Sequence, residues 1–167
     1  MVLMYTIRPA SLADLPRLVE IYNQAIAAGN VTGDTVPFTV ETRRRWFEEH
    51  RPDACPIYVC EGEGGAVTGY LSLSPYRGRP ALARSAELSY YVGYAHHGQG
   101  IGSALMAHAL RESPSLGKRV LIAVLLEWNE ASIRLLEKFG FERWGYLPEV
   151  AEFEGRVCGQ FYYGRKV

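Results

Sequence analysis

The chain has 167 residues and a mass of 18.7 kDa, with 18 basic and 18 acidic side chains and a pI near 6.9. This balance gives no overall attraction to nucleic acid or to anionic membranes, so we expect neither as a partner, and any polyanion site must be local. With 48% apolar residues, the composition excludes the disordered class and predicts one domain over residues 1–167 that needs no disulfide or metal to hold its core.

The cysteines and the N-terminus bear on the cellular compartment. Cys55, Cys60 and Cys158 are odd in number and follow no zinc-ligand spacing, which predicts buried reduced thiols and no metal site. Residues 1–9 lack the basic and apolar regions of a signal peptide, and no window of about 18 apolar residues occurs in the chain. We therefore expect a cytoplasmic protein.

The N-terminal part predicts one strand followed by two helices. Residues 4–8 alternate and favour a strand, and Ser11 is a plausible N-cap with Asp14 at N3 of the helix that follows. That helix ends at Gly29, and a second, short helix begins after Thr39. The first helix has apolar residues at helical spacing, namely Leu12, Leu15, Leu18, Val19, Tyr22 and Ile26.

The middle of the chain reads as three strands. Residues 57–60 and 67–73 flank a glycine-rich turn at 61–65, which predicts an antiparallel hairpin. Residues 87–94 are rich in β-formers and lead directly into His97-Gly-Gln-Gly-Ile-Gly102. This strand and glycine turn precede the next predicted helix.

The C-terminal part continues with a helix over 103–111, a near-continuous apolar strand over 119–126 and a helix over 129–138. Two final strands are predicted over 141–147 and 157–165. The resulting order is β-α-α-β-β-β-α-β-α-β-β, which indicates a mixed sheet with helices on both faces.

The glycine turn is the most informative segment. Gly98, Gly100 and Gly102 lack a Cβ, so the backbone can turn sharply and present N–H groups, together with the positive end of the following helix, to a phosphate. The spacing fits neither the Walker loop nor the GxGxxG dinucleotide fingerprint. A turn that only joins a strand to a helix stays open as the alternative.

Two segments resemble the GNAT N-acetyltransferase superfamily. Residues 97–102 are similar to its [Q/R]xxGx[G/A] acetyl-CoA pyrophosphate loop, and residues 129–141 resemble its Asn-containing segment with a terminal Gly-Phe. Four shorter segments resemble the phosphinothricin and methionine sulfone/sulfoximine acetyltransferases within the superfamily. They are Ile21-Tyr22-Asn23, Tyr76-Arg77, Ala86-Glu87 and Pro148-Glu149-Val150.

The resemblance implies an α/β (α+β) fold with a mixed, mostly antiparallel seven-stranded sheet flanked by helices, and frequently a homodimer. It also implies transfer of the acetyl group of acetyl-CoA to the amine of a small amino-acid-like substrate, by direct attack in a ternary complex. Glu87 matches the family's general base, acting through a water; its alternative is a solvated carboxylate. The rival functions are a non-catalytic acyl-CoA-binding module and a protein or peptide N-acetyltransferase.

Further roles follow from the resemblance. A strand that splays from its neighbour would pair with pantetheine, and Asn129 would hold the same arm or cap a helix. Lys138 would approach the 3′-phosphate or remain solvated. The implied coenzyme residues are Ser89, Tyr90, Tyr91, His97, Gly98, Gln99, Gly100, Ile101, Gly102, Ser103, Asn129 and Lys138. The implied substrate residues are Tyr76, Arg77, Gly78 and Glu87, with Arg77 preferred over Arg79 as a carboxylate clamp or else a solvated loop residue.

The sequence departs from the family at two site positions. His97 stands where the family has Gln or Arg, so a permanently charged phosphate contact is lost. Leu136 stands where a Tyr or His often protonates the leaving thiolate, which leaves that step to another tyrosine or to water. Other candidates are read as structural: surface or capping roles for His50, His96 and His108, and strand core for Tyr162 and Tyr163.

Overall fold

The computed structural model describes residues 4–167, so the first three residues of the predicted domain lie outside the described part. The helices are α1 (Leu15–Ala28), α2 (Val40–Glu48), α3 (Ile101–Glu112) and α4 (Glu130–Lys138). The strands are β1 (Thr6–Pro9), β2 (Ile57–Glu61), β3 (Val67–Pro75), β4 (Ser85–Val92), β5 (Val120–Leu126), β6 (Glu142–Phe153) and β7 (Arg156–Lys166). The predicted order of strands and helices is confirmed. None of the helices in this part of the chain has the length and hydropathy of a bilayer-spanning segment.

All seven strands form one sheet in the order β1-β2-β3-β4-β5-β7-β6. The pair β4–β5 is parallel and the other neighbours are antiparallel. Short turns join the antiparallel pairs β2–β3 and β6–β7, whereas α3 provides the crossover that the parallel pair β4–β5 needs. The predicted mixed, mostly antiparallel seven-stranded sheet is therefore confirmed.

Helices cover the sheet on both faces. Core residues of α3 and α4, such as Leu105 and Leu136, pack with Leu88 of β4, whereas Leu18 of α1 packs on the opposite face with Tyr70 of β3. Successive strand residues point to opposite faces. The side chains of Glu87, Ser89 and Tyr91 consequently face the α1–α2 layer, and those of Ala86, Leu88 and Tyr90 face the α3–α4 layer.

Two predicted boundaries around the glycine turn are shifted. Strand β4 covers Ser85–Val92 rather than 87–94, and Tyr94 lies in a short 3₁₀ turn. Helix α3 begins at Ile101 rather than Ser103, because Gly100 adopts the left-handed conformation that precedes the first helical residue. The segment between the strand and the helix is thus shifted by two residues, from 95–102 to 93–100, with no change in its length.

The largest difference lies in β6, which ends at Phe153 rather than at Leu147. A shift in the β6–β7 register between Leu147 and Ala151 accommodates Pro148. Since β6 is the edge strand, the missing N–H of a proline on its open side breaks no ladder hydrogen bond. The two last strands therefore form a long hairpin.

The cysteine prediction is confirmed for Cys55, Cys60 and Cys158, which are buried free thiols. Burial raises the pKa of Cys55 and of Cys60. Both thiols are therefore protonated and unreactive at neutral pH.

A charged cluster fixes β1 to the start of the first helical segment. The Arg8 guanidinium donates to both carboxylate oxygens of Asp14, at 2.8 and 2.9 Å, and to Glu61 at 2.8 Å. Asp14 also accepts from the Ser11 backbone N–H at 2.7 Å. Ser11 is thus the N-cap and Asp14 the N3 residue, as predicted, and the structure adds that the two form a capping box. The bond to Arg8 is the main reason that the pKa of Asp14 lies below its usual 3.8.

We expect Asp14→Asn to lower the free energy of unfolding by about 2 kcal/mol at pH 7, because charge-assisted bonds to a nearly buried carboxylate are lost. A depressed folded-state pKa stabilises only above the unfolded pKa, so the difference from wild type should shrink as the pH falls below 3.8. Urea unfolding at pH 7 and pH 3 measures this. Asp53→Asn is the control, since its partner Arg51 forms an exposed pair; an equal loss in both variants would contradict the expectation.

Candidate active site

Strands β4 and β5 separate in the middle of the sheet. They pair only at three positions, the last being Glu87 with Ile122, while β5 stays paired with β7 along its whole length. The opening holds a cavity of about 40 Å³ whose lining includes Ser89, Asn129 and Leu136. Main-chain groups of β4 beyond Glu87 are thereby left without a β5 partner, as the resemblance implies for a pantetheine site.

A larger cavity of about 340 Å³ lies between the glycine turn, β4 and the start of α4. It shares Tyr90, Tyr91 and Asn129 with the opening between the strands. The predicted coenzyme residues on its wall are Tyr90, Tyr91, His97, Gly98, Gly100, Ile101, Gly102, Ser103 and Asn129. The two cavities together form a path from the glycine turn to the centre of the sheet.

Gln99 does not belong to this wall. Its side-chain amide donates to the Ala95 carbonyl at 3.4 Å, and the residue lines a separate surface groove beside β1. The geometry therefore separates Gln99 from the other predicted coenzyme residues.

The N-terminus of α3 is suited to an anion. Gly100 precedes the helix with φ 79° and no side chain caps its first turn, so the N–H groups of residues 101–103 remain available. The helix dipole adds a partial positive charge at the same place. The Lys138 ammonium donates to the Ser103 hydroxyl at 3.1 Å, which brings a full positive charge to this turn rather than leaving it remote.

The His97 side chain is hydrogen-bonded to the main chain of β4. Its Nε2 lies 2.9 Å from the Val92 carbonyl, and because a carbonyl only accepts, Nε2–H is the donor. The imidazole also contacts the ring edge of Tyr94, with centroids 5.0 Å apart. The ring thus packs against the end of β4 and also lines the cavity.

Asn129 has the capping role that the sequence left open, and its position is compatible with the coenzyme role. Its side-chain oxygen accepts from the Ser132 backbone N–H at 3.2 Å, so it is the N-cap of α4. It is only 9% exposed and lines both cavities. Its amide NH₂ group is not used by the cap and can face a ligand.

Glu87 is the last residue of β4 that pairs with β5, at the point where the two strands separate. It is half-buried, and burial raises the pKa of its carboxyl above the usual 4.5, while the nearby Arg77 charge partly opposes the shift. A carboxylate with a raised pKa is a better proton acceptor than a solvated one.

The predicted substrate residues form a turn after β3. Arg77 and Gly78 both have positive φ, 62° and 56°, and the guanidinium of Arg77 lies over the Tyr76 ring. The Arg77 Nη2 also reaches the Tyr162 hydroxyl at 3.5 Å. A left-handed arginine is sterically costly, so this turn holds Arg77 in an unusual conformation beside Glu87.

Tyr162 contacts a candidate site residue, and sequence reasoning missed this contact. The expectation of strand core is correct for Tyr163, which is 1% exposed, but Tyr162 is half-buried on the other face and reaches Arg77. Alternation of facing along a strand was the available signal, yet nothing local indicated which of the two tyrosines would point to the site.

The structure also differs from the predicted surface or capping roles of two histidines. His96, expected at the surface or in a cap, is half-buried and lines the larger cavity. His50 caps α2 through the Trp46 carbonyl, as expected, but is part-buried against β3 through Ser74. His108 packs its ring on Tyr58 with centroids 4.5 Å apart.

Comparison with known proteins agrees with this architecture. Residues 18–141 match the family described as Acetyltransferase (GNAT) family. The YwnH protein of Bacillus subtilis strain 168, provisionally named as a phosphinothricin acetyltransferase, is 44% identical over 97% of this chain and 99% of its own length. An L-methionine sulfoximine/L-methionine sulfone acetyltransferase of Pseudomonas aeruginosa is 32% identical, with 90% and 88% of the two chains covered.

A solved structure gives the same result. A GNAT superfamily phosphinothricin acetyltransferase from Sinorhizobium meliloti, in complex with acetyl-CoA, superimposes with a TM-score of 0.93 at 30% identity, covering 100% of this chain and 89% of the other. Family match, sequence relatives and superposition agree with the separated central strands and the glycine turn. The chain therefore belongs to the GNAT acetyltransferase family.

Proposed function

We propose that this protein transfers the acetyl group of acetyl-CoA to the amine of a small amino-acid-like substrate, and that residues 1–167 act as one acetyltransferase domain. The observation that carries the proposal is the pair of adjoining cavities that run from the α3 N-terminus into the opening between β4 and β5. Glu87 is the β4 residue at which that opening begins. The substrate class is supported by the names of the relatives, which act on phosphinothricin and on methionine sulfoximine or sulfone.

The coenzyme would lie along this path. The diphosphate would accept from the N–H groups at the start of α3, with Lys138 nearby for a further phosphate. The pantetheine arm would pair with the free main-chain groups of Ser89, Tyr90 and Tyr91, and the Asn129 amide would bind its carbonyl groups. Amide donors on β4 would polarise the thioester oxygen.

Glu87 would act as the general base. An amine with pKa near 10.4 is neutral in only about one part in a thousand at pH 7, which costs about 4 kcal/mol, against about 1 kcal/mol for an α-amine with pKa near 8. Proton transfer to Glu87, directly or through a water, supplies the neutral nucleophile. The amine nitrogen then bonds to the acetyl carbon, and the carbon–sulfur bond breaks to release the coenzyme A thiolate. The nitrogen loses its second proton to water as the amide forms.

The leaving thiolate needs no acid at position 136. Leu136 is 0% exposed and belongs to the core beneath the opening, so it contributes packing only. Tyr90 lines both cavities, and burial raises the pKa of its hydroxyl to about 12. A hydroxyl that stays protonated can donate a hydrogen bond to the thiolate, while water supplies the proton.

Arg77 would bind the substrate carboxylate through a bidentate pair. We expect Arg77→Ala to raise the KM for an amino-acid-like amine about tenfold, since a charge-assisted hydrogen bond contributes roughly 1.5–3 kcal/mol, with little change in the KM for acetyl-CoA. Arg79→Ala is the matched control from the same loop. Equal KM values for the two variants in steady-state kinetics would contradict the assignment.

Thiol release from acetyl-CoA, measured with a panel of amino-acid analogues, tests the proposed reaction. Turnover with at least one small amine supports it. Tight acetyl-CoA binding without turnover would favour the non-catalytic acyl-CoA-binding module, and turnover with peptides alone would favour a protein acetyltransferase.

We also propose a cytoplasmic homodimer. Three buried free thiols suit a reducing compartment. The β6–β7 hairpin carries an unpaired edge and a group of exposed apolar side chains that a second copy would cover. They are Trp144, Tyr146, Leu147, Val150 and Val157. Light scattering should give twice the chain mass of 18.7 kDa.

A further inference from the structure

A line of polar groups reaches Glu87 from the α2 side of the sheet. Ser74 of β3 is the register partner of Glu87, so the two side chains lie on one face with Cβ atoms roughly 5 Å apart. The Ser74 hydroxyl is 3.1 Å from Nε2 of His50, and Nδ1 of His50 is 2.6 Å from the Trp46 carbonyl oxygen. The chemistry described above uses neither Ser74 nor His50.

The partners fix the direction of each hydrogen bond. The Trp46 carbonyl can only accept, so Nδ1 of His50 carries the hydrogen. A neutral imidazole has one N–H, so Nε2 is an acceptor and the Ser74 hydroxyl donates to it. The Ser74 oxygen therefore has only lone pairs left for any other group beside Glu87.

Surrounding groups keep His50 neutral. Burial lowers the pKa of His50, the Arg43 charge lowers it further, and the Trp46 carbonyl and Glu49 oppose the shift. From the sheet, His50 faces Ser74 and, beyond it, Glu87. At neutral pH the Nδ1–H form described above is thus the one present.

We infer that His50 is a positioning residue that makes Ser74 an acceptor-only contact for the substrate amine, and that this pair selects primary amines. The inference rests on the proposed role of Glu87. A neutral primary amine has two N–H groups and one lone pair. One N–H donates to Glu87 or its water, the other donates to Ser74, and the lone pair faces the acetyl carbon. A secondary amine has a single N–H and leaves one acceptor unpaired.

The first experiment tests the hydrogen-bond direction without any turnover. Imidazole ¹⁵N NMR of the wild-type protein should show the Nδ1–H tautomer for His50, assigned by the signal that disappears in His50→Phe. A neutral Nε2–H tautomer would make Ser74 free to donate and would overturn the inference.

The second experiment measures amine selection. In Ser74→Ala we expect kcat/KM for a primary amine to fall roughly two- to tenfold, the effect of one hydrogen bond, with the KM for acetyl-CoA unchanged. The preference for the primary amine over its N-methyl analogue should shrink in the same variant and in His50→Phe. His108→Phe is the control, because His108 is also half-buried and ring-stacked but lies on the α3 side.

The third measurement is the pH profile, which a merely structural role would not change. Protonated His50 would donate from Nε2 to the Ser74 oxygen, and the Ser74 hydrogen would then point towards the amine. The acid side of the kcat/KM profile should therefore be one proton steeper in wild type than in Ser74→Ala. Identical profiles with an active wild type overturn the selection alone, whereas no turnover by wild type with any amine removes the proposed function itself.

Discussion

Glu87→Gln should lower kcat at pH 7 by about 10²- to 10⁴-fold, the usual contribution of a general base. The amide has nearly the shape of the carboxyl group but cannot accept the amine proton. Because Glu87 sits where β4 leaves β5, no described hydrogen bond within the sheet depends on its side chain, so the melting temperature should remain close to that of wild type. Initial rates of thiol release over a pH series measure the effect.

The loss of activity in Glu87→Gln should depend on pH. The pKa of Glu87 is raised above 4.5 by burial, so wild-type activity should begin to fall on the acid side at a pH above 4.5. The gap between wild type and Glu87→Gln should narrow as the pH rises, because a larger fraction of the amine is then neutral in solution. Glu142→Gln, an exposed position on β6, is the control. A pH-independent loss would indicate that Glu87 is structural.

The order of elements was predictable because it rests on local periodicity. The hairpin of β2 and β3 follows from the glycine-rich turn between them, and α1 follows from apolar spacing with the Ser11–Asp14 cap. The end of β6 was not predictable in the same way. Pro148 reads as a stop, and only the edge position of β6 makes it harmless.

Some residues of the candidate site were predictable from local sequence motifs, and others were not. The glycine turn and the segment that begins at Asn129 are contiguous motifs, so each could be recognised from the sequence, and most of their predicted site residues line the larger cavity. Tyr162 approaches Arg77 only because β7 pairs with β5, and Ser74 faces Glu87 only because β3 and β4 pair in this register. Contacts set by strand register between distant segments carry no local signal in one sequence.

Substitution of Gly100 by alanine should have a large effect on coenzyme affinity, and the same substitution at Gly155 is a closely matched control. Both glycines have φ +79°, and a Cβ at either would meet no protein atom within 4 Å. Gly100 lies on the wall of the larger cavity, whereas Gly155 lies in the turn between β6 and β7. An alanine therefore introduces the same backbone strain at both positions, about 1–2 kcal/mol, and a similar decrease in melting temperature of a few degrees.

Only Gly100→Ala should weaken acetyl-CoA binding. Its methyl group would stand beside the N–H groups that begin α3 and would hold the diphosphate away from them. Loss of one or two hydrogen bonds to a charged group, roughly 1.5–3 kcal/mol each, raises the Kd by at least tenfold. Isothermal titration with acetyl-CoA measures this directly. Equal Kd values for Gly100→Ala and Gly155→Ala would mean that the start of α3 does not hold the diphosphate, because backbone strain, common to both variants, would then account for every difference from wild type.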